Sequence, residues 1–590
     1  MKLSKYLIPV LGILAIGCSE NVDTPNSPLS PDNSEPTLKG YLAVSVAGSV
    51  STFTRADGYV DGSSSENYVD KVRFYFFDND GNPVKVRKNP NQDPNEQTSY
   101  YSYYDWDVTA ADNANAGSNA SGTVEKIIST TLTLTGPDDE DLPDDLLVLA
   151  IVNPTVEILS KSNLTLPAVR ELIADYQSGL TTNNFVMSNS VFVDENNNVI
   201  DAKPFKTEDY VVSSIKDAKP LVIYVERVVS RLDLSIGLNP AENGFYDTSI
   251  NFQPIDPEGV PDGTYKGEIF VKINGWAVTS TPNQSNLVKS IDATWGKDIF
   301  GDLNPWNSDD FNRSFWAINP LKVGQEPLQF MNWYSYNQII NNGLTVPTGT
   351  SSSTTYMQEN ANPYETAENS SAANPKYPSK VIMSGTLVDA SGNPVTIAEY
   401  YQQYYTLDGL MNYIAGFLNM WTPKNSENGY DHIGVNDIKL VTMKNWVNQD
   451  DFTAPDVKGT YYVYFVLTPE AAEKTWYHKI ENSDQYTKIT DSKTYIFDSV
   501  GKAMVWTGGA TYYYFDIEHL GAKGHAGYTG VVRNHIYDCT VLTLTGLGTP
   551  VFDPSETIYP EKPERNGNLL QAEIDILQWR IVRKTFDLEW

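Results

Sequence analysis

The sequence predicts a mostly β protein with a few short helices. Strand-like runs separated by turn residues follow one another along most of the chain. The composition agrees with this prediction, because 37 tyrosines and 34 prolines are typical of a β-rich extracellular protein. The chain has 590 residues, which is long enough for two or three domains.

The N-terminus has the pattern of a secretory signal. Lys2 and Lys5 precede an apolar run of about a dozen residues, which is too short to span a bilayer as a helix. A small residue stands directly before Cys18, and this predicts a lipoprotein signal over residues 1–17 with lipid attached to Cys18. A plain signal peptide with an incidental cysteine is the alternative. If Cys18 is lipidated, Cys539 has no partner for a disulfide within the chain.

A tether and an amphipathic strand follow the signal. Residues 19–37 consist mostly of Ser, Pro, Asn and acidic residues, which is typical of a linker. Apolar residues of one parity then predict a strand; they are Leu38, Leu42, Val44, Val46 and Val50. Arg55 comes next, in a loop rich in Gly, Ser and Asp that is open to a trypsin-like protease. An ordinary loop arginine is the alternative.

Three later runs predict strands with particular positions in the fold. The run "LLVLAIVNP" is apolar enough for a strand that is buried on both faces. The run "KPLVIYVERVVSRLDLSIGL" changes parity near residue 228, which predicts a strand passing to a new sheet and a domain boundary. The end of the chain predicts two consecutive strands, the last with an apolar face of Phe586, Leu588 and Trp590.

Helical interruptions are few. Apolar residues at helical spacing predict helices in "PAVRELIADYQS" and in "TLDGLMNYIAGF". Thr468 is the predicted N-cap of a third helix, with Pro469 in its first turn. These apolar stripes predict core packing and imply no cofactor.

The sequence predicts no catalytic, cofactor-binding or metal site. Its five histidines do not form a zinc pattern, and neither a nucleophile elbow nor a Walker lysine loop is present. The run "FDNDGNPVKVR" fails the calcium-loop pattern and predicts a hairpin turn. A net charge of −32 argues against nucleic acid as a partner, because phosphate binding needs positive charge. The aromatic run at residues 98–106 predicts either a sugar-binding or partner-binding surface or the packing of an edge strand.

Several segments together resemble the minor fimbrillin family of Bacteroidales, the shaft subunits of type V fimbriae. These segments are "IYVERVVSRLDL", "NRSFWAINP", "YMQENAN", "GYTGVVRNHIYDCTVLTLTGLGTPV" and "ILQWRIV", together with the order of signal, tether, strand and arginine at the front. Each segment alone is weak, but their order and spacing are specific. Met357 departs from the pattern, since a smaller residue is expected in the "YxxEN" segment.

The resemblance implies two transthyretin-like Greek-key β-sandwich domains and a lipidated precursor. It also implies that an arginine-specific protease cuts after Arg55, so that Ala56 becomes the new N-terminus. The expected divisions are a signal (1–17), a propeptide with the tether and a removable strand (18–55), an N-terminal domain (56–228) and a C-terminal domain (229–590).

We expect release of the strand containing Leu38, Leu42, Val44 and Val46 to open a groove in the N-terminal domain. The tail of the next subunit, with Phe586, Leu588 and Trp590, then fills the groove by strand addition. On this hypothesis the chain is a structural subunit of an adhesive cell-surface fimbrium and has no enzymatic activity. An intramolecular edge strand is the alternative for the tail.

The expected partners are identical subunits, accessory anchor and tip proteins, the arginine-specific protease and surface receptors. The precursor is expected to be held at the outer membrane by its lipid. Two other functions are open: a monomeric glycan-binding surface lipoprotein, and an anchor or tip subunit of a fimbrium.

Overall fold

The protein is described by a computed structural model. Its described residues are 40–48, 63, 66–87, 100–114, 116, 127–134, 136, 142–175, 185–193, 198–252, 263–291, 317–320, 330–348, 351–361, 377–424, 428–447, 458–519, 529–561, 569–578 and 581–584. Strands predominate over helices among these residues, and the prediction of a mostly β fold is confirmed. The transthyretin-like topology stays a prediction.

The described part of the chain before Val228 contains fourteen strands, many of them short. They are β1 (Gly40–Gly48), β2 (Lys71–Phe77), β3 (Val86–Arg87), β4 (Tyr100–Tyr101), β5 (Tyr103–Asp107), β6 (Ile127–Leu134), β7 (Asp145–Val152), β8 (Ile173–Asp175), β9 (Met187–Asn189), β10 (Phe192–Val193), β11 (Val199–Ile200), β12 (Lys203–Lys206), β13 (Val211–Val212) and β14 (Leu221–Arg227).

The described residues after Val228 contain two dozen more. They are β15 (Val229–Ile236), β16 (Tyr246–Phe252), β17 (Gly267–Thr279), β18 (Thr281–Pro282), β19 (Gln284–Asn286), β20 (Met331–Asn332), β21 (Tyr334–Ser335), β22 (Ser353–Gln358), β23 (Lys380–Val388), β24 (Ile397–Tyr400), β25 (Gln403–Tyr405), β26 (Trp421–Pro423), β27 (Tyr430–His432), β28 (Ile438–Thr442), β29 (Val463–Leu467), β30 (Tyr477–Lys479), β31 (Tyr486–Lys488), β32 (Lys502–Trp506), β33 (Ala510–Asp516), β34 (His535–Thr545), β35 (Thr549–Pro550), β36 (Thr557–Ile558), β37 (Leu569–Gln578) and β38 (Ile581–Lys584).

Helices are short and connect the strands. The α-helices are Ala110–Ala114, Val156–Leu159, Leu166–Arg170, Thr207–Tyr210, Tyr336–Asn342, Leu407–Phe417, Met443–Trp446, Pro469–Ala472 and Ser492–Val500, and the 3-10 turns are Ile215–Asp217, Val435–Asp437 and Thr507–Gly509. The predicted helix in "TLDGLMNYIAGF" is confirmed, and so is the N-cap Thr468, whose side chain accepts a hydrogen bond from the backbone N of Ala471.

The helix predicted in "PAVRELIADYQS" is only partly correct. It ends at Arg170, and Ile173 begins the short strand β8. This strand pairs with β19, with Ile173 opposite Asn286, so a long-range strand pairing replaces the second helical turn. The local apolar spacing could not reveal this partner.

A nine-stranded sheet, here called the first sheet, contains the strands before Val228. Its order is β13-β1-β14-β9-β7-β2-β5, with β12 paired to β7 and β6 paired to β1. One face covers a core that includes Phe74, Val148 and Ile223. The other face of β2 and β7 belongs to a second core, with Tyr75 and Leu149. The prediction that "LLVLAIVNP" is buried on both faces is therefore confirmed.

Two five-stranded sheets lie after Val228 and share a third core. The second sheet has the order β22-β15-β34-β37-β38, and the third sheet has the order β16-β17-β23-β33-β35. Leu232 and Tyr537 from the second sheet meet Trp276 and Met383 from the third. The chain passes from the first sheet to the second at Val228, between β14 and β15. The change in the parity of the apolar residues near residue 228 coincides with this passage between the two sheets.

Between β23 and β33 the chain forms an additional lobe, here called the inserted lobe. Its buried residues run from Ala398 to Val505 and make a core of their own around the helix Leu407–Phe417. The lobe contains two sheets, with the orders β25-β24-β32-β29-β28 and β27-β26-β30-β31. This third compact unit was not predicted from the sequence.

Candidate functional site

The strand β1 occupies the interior of the first sheet. Along one edge it pairs antiparallel with β6, from Gly40 opposite Leu134 to Ala47 opposite Ile127. Along the other edge it pairs antiparallel with β13 and then parallel with β14, starting with Val44 opposite Leu221. Both edges of β1 are therefore used, and β1 joins two parts of the sheet that do not otherwise pair with each other.

The side chains of β1 alternate as the sequence predicts. Leu42, Val44 and Val46 are 0%, 1% and 3% exposed, and all three belong to the core of the first sheet. The neighbouring strands contribute buried apolar side chains to the same core; they are Ile128, Leu132, Leu134, Leu221, Ile223 and Val225. Departure of β1 would leave an apolar groove with two rows of unpaired backbone groups, which we call the β1 groove.

The opposite parity of β1 consists of Tyr41, Ala43, Ser45 and Ala47. Ser45 lies opposite Ser129 of β6, and their hydroxyl oxygens are 2.8 Å apart. This hydrogen bond links β1 directly to one wall of the β1 groove. The two serines lie directly opposite each other and are partly buried, so this pair defines the register of β1 against β6.

Several predicted site residues lie outside the described residues. These are the lipidation site Cys18, the first residue of the predicted strand Leu38, the cleavage site Arg55 and Ala56, and the tail residues Phe586, Leu588 and Trp590. β1 ends at Gly48, upstream of the predicted cut. β38 pairs with β37 at the edge of the second sheet and ends at Lys584, directly before the tail.

The chain downstream of the predicted cut is fixed by contacts that do not involve β1. Tyr356 Oη donates to Glu66 Oε1 at 2.8 Å, and Arg231 Nη1 lies 3.3 Å from the same carboxylate. Arg227 Nε donates to the backbone oxygen of Glu66 at 3.0 Å. Burial raises the pKa of Glu66, but hydrogen bonds from Ser63 and Tyr356 and the charge of Arg231 outweigh it, so the pKa lies below its usual value. Loss of β1 leaves this anchor in place.

Residues from four of the segments that carry the family resemblance meet Lys289 in one buried cluster, the junction cluster. Its members are Glu226, Arg227, Lys289, Asn319, Glu359, Asn360, Arg533 and Asn534. Lys289 Nζ lies 2.8 Å from Glu226 Oε1, and Arg533 forms an ion pair with Glu359. Burial lowers the pKa of Lys289.

The junction cluster also binds backbone groups from several parts of the chain. Arg533 Nη1 donates to the carbonyl of Leu287 at 3.1 Å, and Arg227 Nη1 donates to Asn534 Oδ1 at 3.0 Å. The Arg227 contact ties the end of β14 to the segment before β34, and the Arg533 contact ties that segment to the chain after β19. Charged residues inside otherwise apolar runs, such as Glu226 and Arg227 in "IYVERVVS", are the sequence signal that could have marked this cluster.

Met357, the departure from the family pattern, lies in the third core. It is 1% exposed and packs among the residues that join the second and third sheets. Its neighbour Tyr356 points the other way and contacts Glu66. The alternation of β22 thus explains how a large apolar residue is accommodated at position 357.

The aromatic run at residues 98–106 contributes mainly to packing. Tyr104 and Trp106 of β5 are buried in the core of the first sheet, where β5 is the edge strand. Tyr103 lies beneath the guanidinium of Arg73, with 3.8 Å between Arg73 Cζ and the ring centroid. Of the two predictions for this run, edge-strand packing agrees with the structure.

The loop that resembles a calcium site is a hairpin turn. Asp78 Oδ1 accepts hydrogen bonds from the backbone N of Asp80 and of Asn82, at 3.0 and 2.8 Å. Gly81 takes a positive φ of 80°, which completes the turn. Among the described residues, no three His, Cys, Asp or Glu side chains are grouped as metal ligands, and no helix is long and apolar enough to cross a membrane.

The C-terminal part of the chain matches a known protein family. The sequence model of the family described as "Major fimbrial subunit protein type IV, Fimbrillin, C-terminal" matches residues 504–585, from β32 to just beyond β38. Residues 504–585 therefore resemble the C-terminal region of a fimbrillin. A fimbrillin is a subunit of a cell-surface fimbrium. The match therefore supports the prediction that the chain is a structural protein that associates with other fimbrial proteins, and not an enzyme. No curated protein matches the sequence of the chain.

Several solved structures resemble this chain at low sequence identity. A fimbrilin (fimA) from Porphyromonas gingivalis is 12% identical, with 92% of this chain and 99% of that chain covered and a TM-score of 0.35. The tip fimbrial protein Mfa3 from Porphyromonas gingivalis is 11% identical, with coverages of 92% and 100% and a TM-score of 0.32. A candidate cell adhesion protein from Parabacteroides distasonis is 12% identical, with coverages of 93% and 99% and a TM-score of 0.35. TM-scores this low do not by themselves establish a common fold.

Proposed function

We propose that this protein is a fimbrial subunit that polymerises by exchanging β1 for the tail of the next subunit. The precursor is lipidated at Cys18 and cut after Arg55, which makes Ala56 the new N-terminus. The tail residues that enter the β1 groove are Phe586, Leu588 and Trp590. The single observation that carries the proposal is the interior position of β1, with both edges paired and one face fully buried.

The energetics favour exchange over simple loss of β1. Burying each large apolar side chain contributes about 1.5–3 kcal/mol, and each net backbone hydrogen bond contributes about 0.5–1.5 kcal/mol. An empty β1 groove would forfeit all of these contributions. A donor strand with the same alternation restores them, and they exceed the association cost of about 4–15 kcal/mol only when the whole strand engages.

Proteolysis gives the exchange its direction. While β1 is joined to the chain, its effective concentration at the groove is high and a donor from another subunit competes poorly. A cut after Arg55 makes β1 a separate segment that is diluted once it leaves. The anchor at Glu66 holds the chain downstream of the cut against Tyr356 and against Arg227, the last residue of the groove-wall strand β14.

The proposed assembly is a filament of identical subunits. Each subunit offers a groove in the domain assigned to residues 56–228 and a tail at the end of the domain assigned to residues 229–590. Because groove and tail are different surfaces, the contact is head-to-tail and continues without closing on itself. Anchor and tip proteins would end such a filament, and receptors would be met at its surface.

A disulfide across β1 tests the proposal. The double variant Ser45→Cys/Ser129→Cys places two thiols at positions whose hydroxyls are 2.8 Å apart, and oxidation joins β1 to the groove wall. We expect the oxidised variant to be cut after Arg55 and to stay monomeric, because the cut strand cannot leave. Reduction should restore polymerisation, as measured by high-mass ladders on mild SDS gels.

A matched control joins two strands that stay together in the proposal. Ser235 of β15 and Thr540 of β34 also place their hydroxyl oxygens 2.8 Å apart. The double variant Ser235→Cys/Thr540→Cys should polymerise equally well when oxidised and when reduced. Normal ladders from the oxidised Ser45→Cys/Ser129→Cys variant would show that β1 stays in its groove and would overturn the proposal.

A further inference from the structure

One face of the small sheet in the inserted lobe is aromatic. The strand register places Trp421 opposite His432 and opposite Tyr477, and it places Pro423 opposite Tyr430. Lys479 lies opposite Tyr486 on the next pair of strands. Residues directly opposite each other, and residues two apart on one strand, share a face. We call this the aromatic face; its rings are Trp421, Tyr430, His432, Tyr477 and Tyr486.

The rings of the aromatic face contact one another. Tyr430 and Tyr486 stack with 3.9 Å between centroids and 16° between planes. Trp421 meets Tyr486 edge to face at 5.9 Å and His432 at 4.6 Å, and Tyr477 meets Tyr430 at 5.4 Å. The cluster is therefore continuous across all four strands.

The aromatic face lies at the surface of the protein. Its four large rings are half-buried, and His432 is exposed. Among the described residues, none of the five rings belongs to a hydrophobic core of the protein or is packed against one. The opposite face is different, since His478 stacks on Tyr495 of the helix Ser492–Val500. Core packing therefore does not account for the aromatic residues.

Polar and cationic groups border the rings. Lys479 and Lys488 share the aromatic face, opposite Tyr486 and Tyr477. Asn419 Oδ1 accepts hydrogen bonds from Trp421 Nε1 at 2.9 Å and from the backbone N of Lys479 at 3.0 Å. A shallow depression adjoins this amide; it is lined by Asn419, Lys479, Ile480, Glu481, Asn482, Ser483 and Asp484. Amide, hydroxyl and carboxylate groups thus lie beside the rings, and Lys479 Nζ lies 3.5 Å from Asp484 Oδ1.

We propose that the aromatic face binds an acidic oligosaccharide. Half-exposed aromatic rings offer flat apolar surfaces against which the C–H faces of pyranose rings can pack, and the neighbouring amide and hydroxyl groups suit sugar hydroxyls. Lys488, which lies opposite Tyr477, supplies positive charge for a sugar carboxylate.

The residue types favour a sugar over a protein partner. Lys479 and Lys488 lie on the face, while the cores of protein–protein interfaces are depleted in lysine even where they are rich in Tyr and Trp. The aromatic face shares no residue with β1, the β1 groove or the junction cluster. The inference therefore goes beyond polymerisation and stands independently of it.

Binding of matched acidic and neutral sugars to the monomeric precursor tests the proposal. The probes are tetragalacturonate with galactotetraose, and 3'-sialyllactose with lactose, and the readouts are tryptophan fluorescence and calorimetry. We expect one acidic probe to bind at least about tenfold more tightly than its neutral counterpart. Trp421→Ala and Tyr486→Ala should each abolish that binding, and Lys488→Ala should reduce the preference for the acid.

Two control variants separate binding from folding. Tyr401→Ala removes a ring that is 74% exposed and lies outside the aromatic face, so it should leave binding unchanged. Tyr486→Phe keeps the ring and should keep most of the binding. All variants should show the circular dichroism spectrum of the parent protein. No binding of either acidic probe, or equal binding of acidic and neutral probes, would overturn the proposal. Loss of filament assembly in Trp421→Ala without any sugar binding would also overturn it and would indicate a protein contact.

Discussion

Lys289 Nζ lies 2.8 Å from Glu226 Oε1, and the two side chains are 0% and 1% exposed. Glu226 is near the end of β14 in the first sheet, and Lys289 follows β19. Together with the Arg533–Glu359 pair, this contact places four charges inside the protein. A buried charge is tolerated only while its partner is present, so the junction cluster fixes how these segments meet.

Removing one member of this pair should destabilise the protein strongly. Lys289→Met leaves the Glu226 carboxylate buried without its cation, and we expect the free energy of unfolding to fall by about 3–5 kcal/mol. The double variant Lys289→Met/Glu226→Gln should recover most of that loss. Urea denaturation of the precursor measures both values. Lys206→Ala breaks an exposed pair with Glu208 and should change the free energy by about 0–1 kcal/mol.

A cavity in β1 should weaken the precursor and leave the filament unaffected. Leu42→Ala removes a fully buried side chain, which costs about 2–5 kcal/mol of unfolding free energy in the precursor. Filaments that have lost β1 do not contain this residue, so their disassembly temperature in SDS should match that of the parent. Leu221→Ala in the groove wall is the control and should weaken both forms. A lower disassembly temperature for Leu42→Ala filaments would show that β1 is retained.

The anchor at Glu66 should lose stability in acid. Its pKa in the folded protein lies below the usual value of 4.5, so the carboxylate contributes stability above pH 4.5 and loses it as pH falls through the lower, folded value. Glu66→Gln should flatten this part of the melting temperature–pH profile. Glu208→Gln, at an exposed position, should leave the profile of the parent unchanged. An identical acid slope in Glu66→Gln and the parent would contradict the assigned role.

The tail should be required for assembly and dispensable for folding. Deletion of residues 586–590 removes the three large apolar side chains of the proposed donor strand and leaves β38 complete. We expect a folded, secreted protein that forms no high-mass ladder on mild SDS gels. Substitution of the polar tail residues Thr585, Asp587 and Glu589 by Ser is the control and should preserve the ladder. Ladders of normal length from the deletion variant would argue against the tail as donor.

Local patterns in the sequence predicted the strands better than their partners. The alternation of Leu42, Val44 and Val46 predicted β1, and the apolar run before Asn153 predicted a strand buried on both faces. Neither pattern could show that β1 lies between β6 and β14, because the pairing residues are far apart in the sequence. The same limit explains β8, where pairing with β19 overrides the helical spacing around Ile173.

The buried charges and the inserted lobe were harder to predict. Glu226 and Lys289, or Glu359 and Arg533, are separated by long stretches of chain, and nothing in either local segment identifies the other. The inserted lobe has helices and strands that were visible individually, such as Leu407–Phe417, but their shared core is a long-range property. The aromatic face depends on strand register in the same way, since its rings come from four separate strands.

The most direct test of the central claim is the intact mass and N-terminal sequence of subunits taken from native surface filaments. Exchange of β1 predicts subunits that begin at Ala56 and lack residues 18–55. Filament subunits that still contain residues 18–55, with lipid on Cys18, would contradict the account.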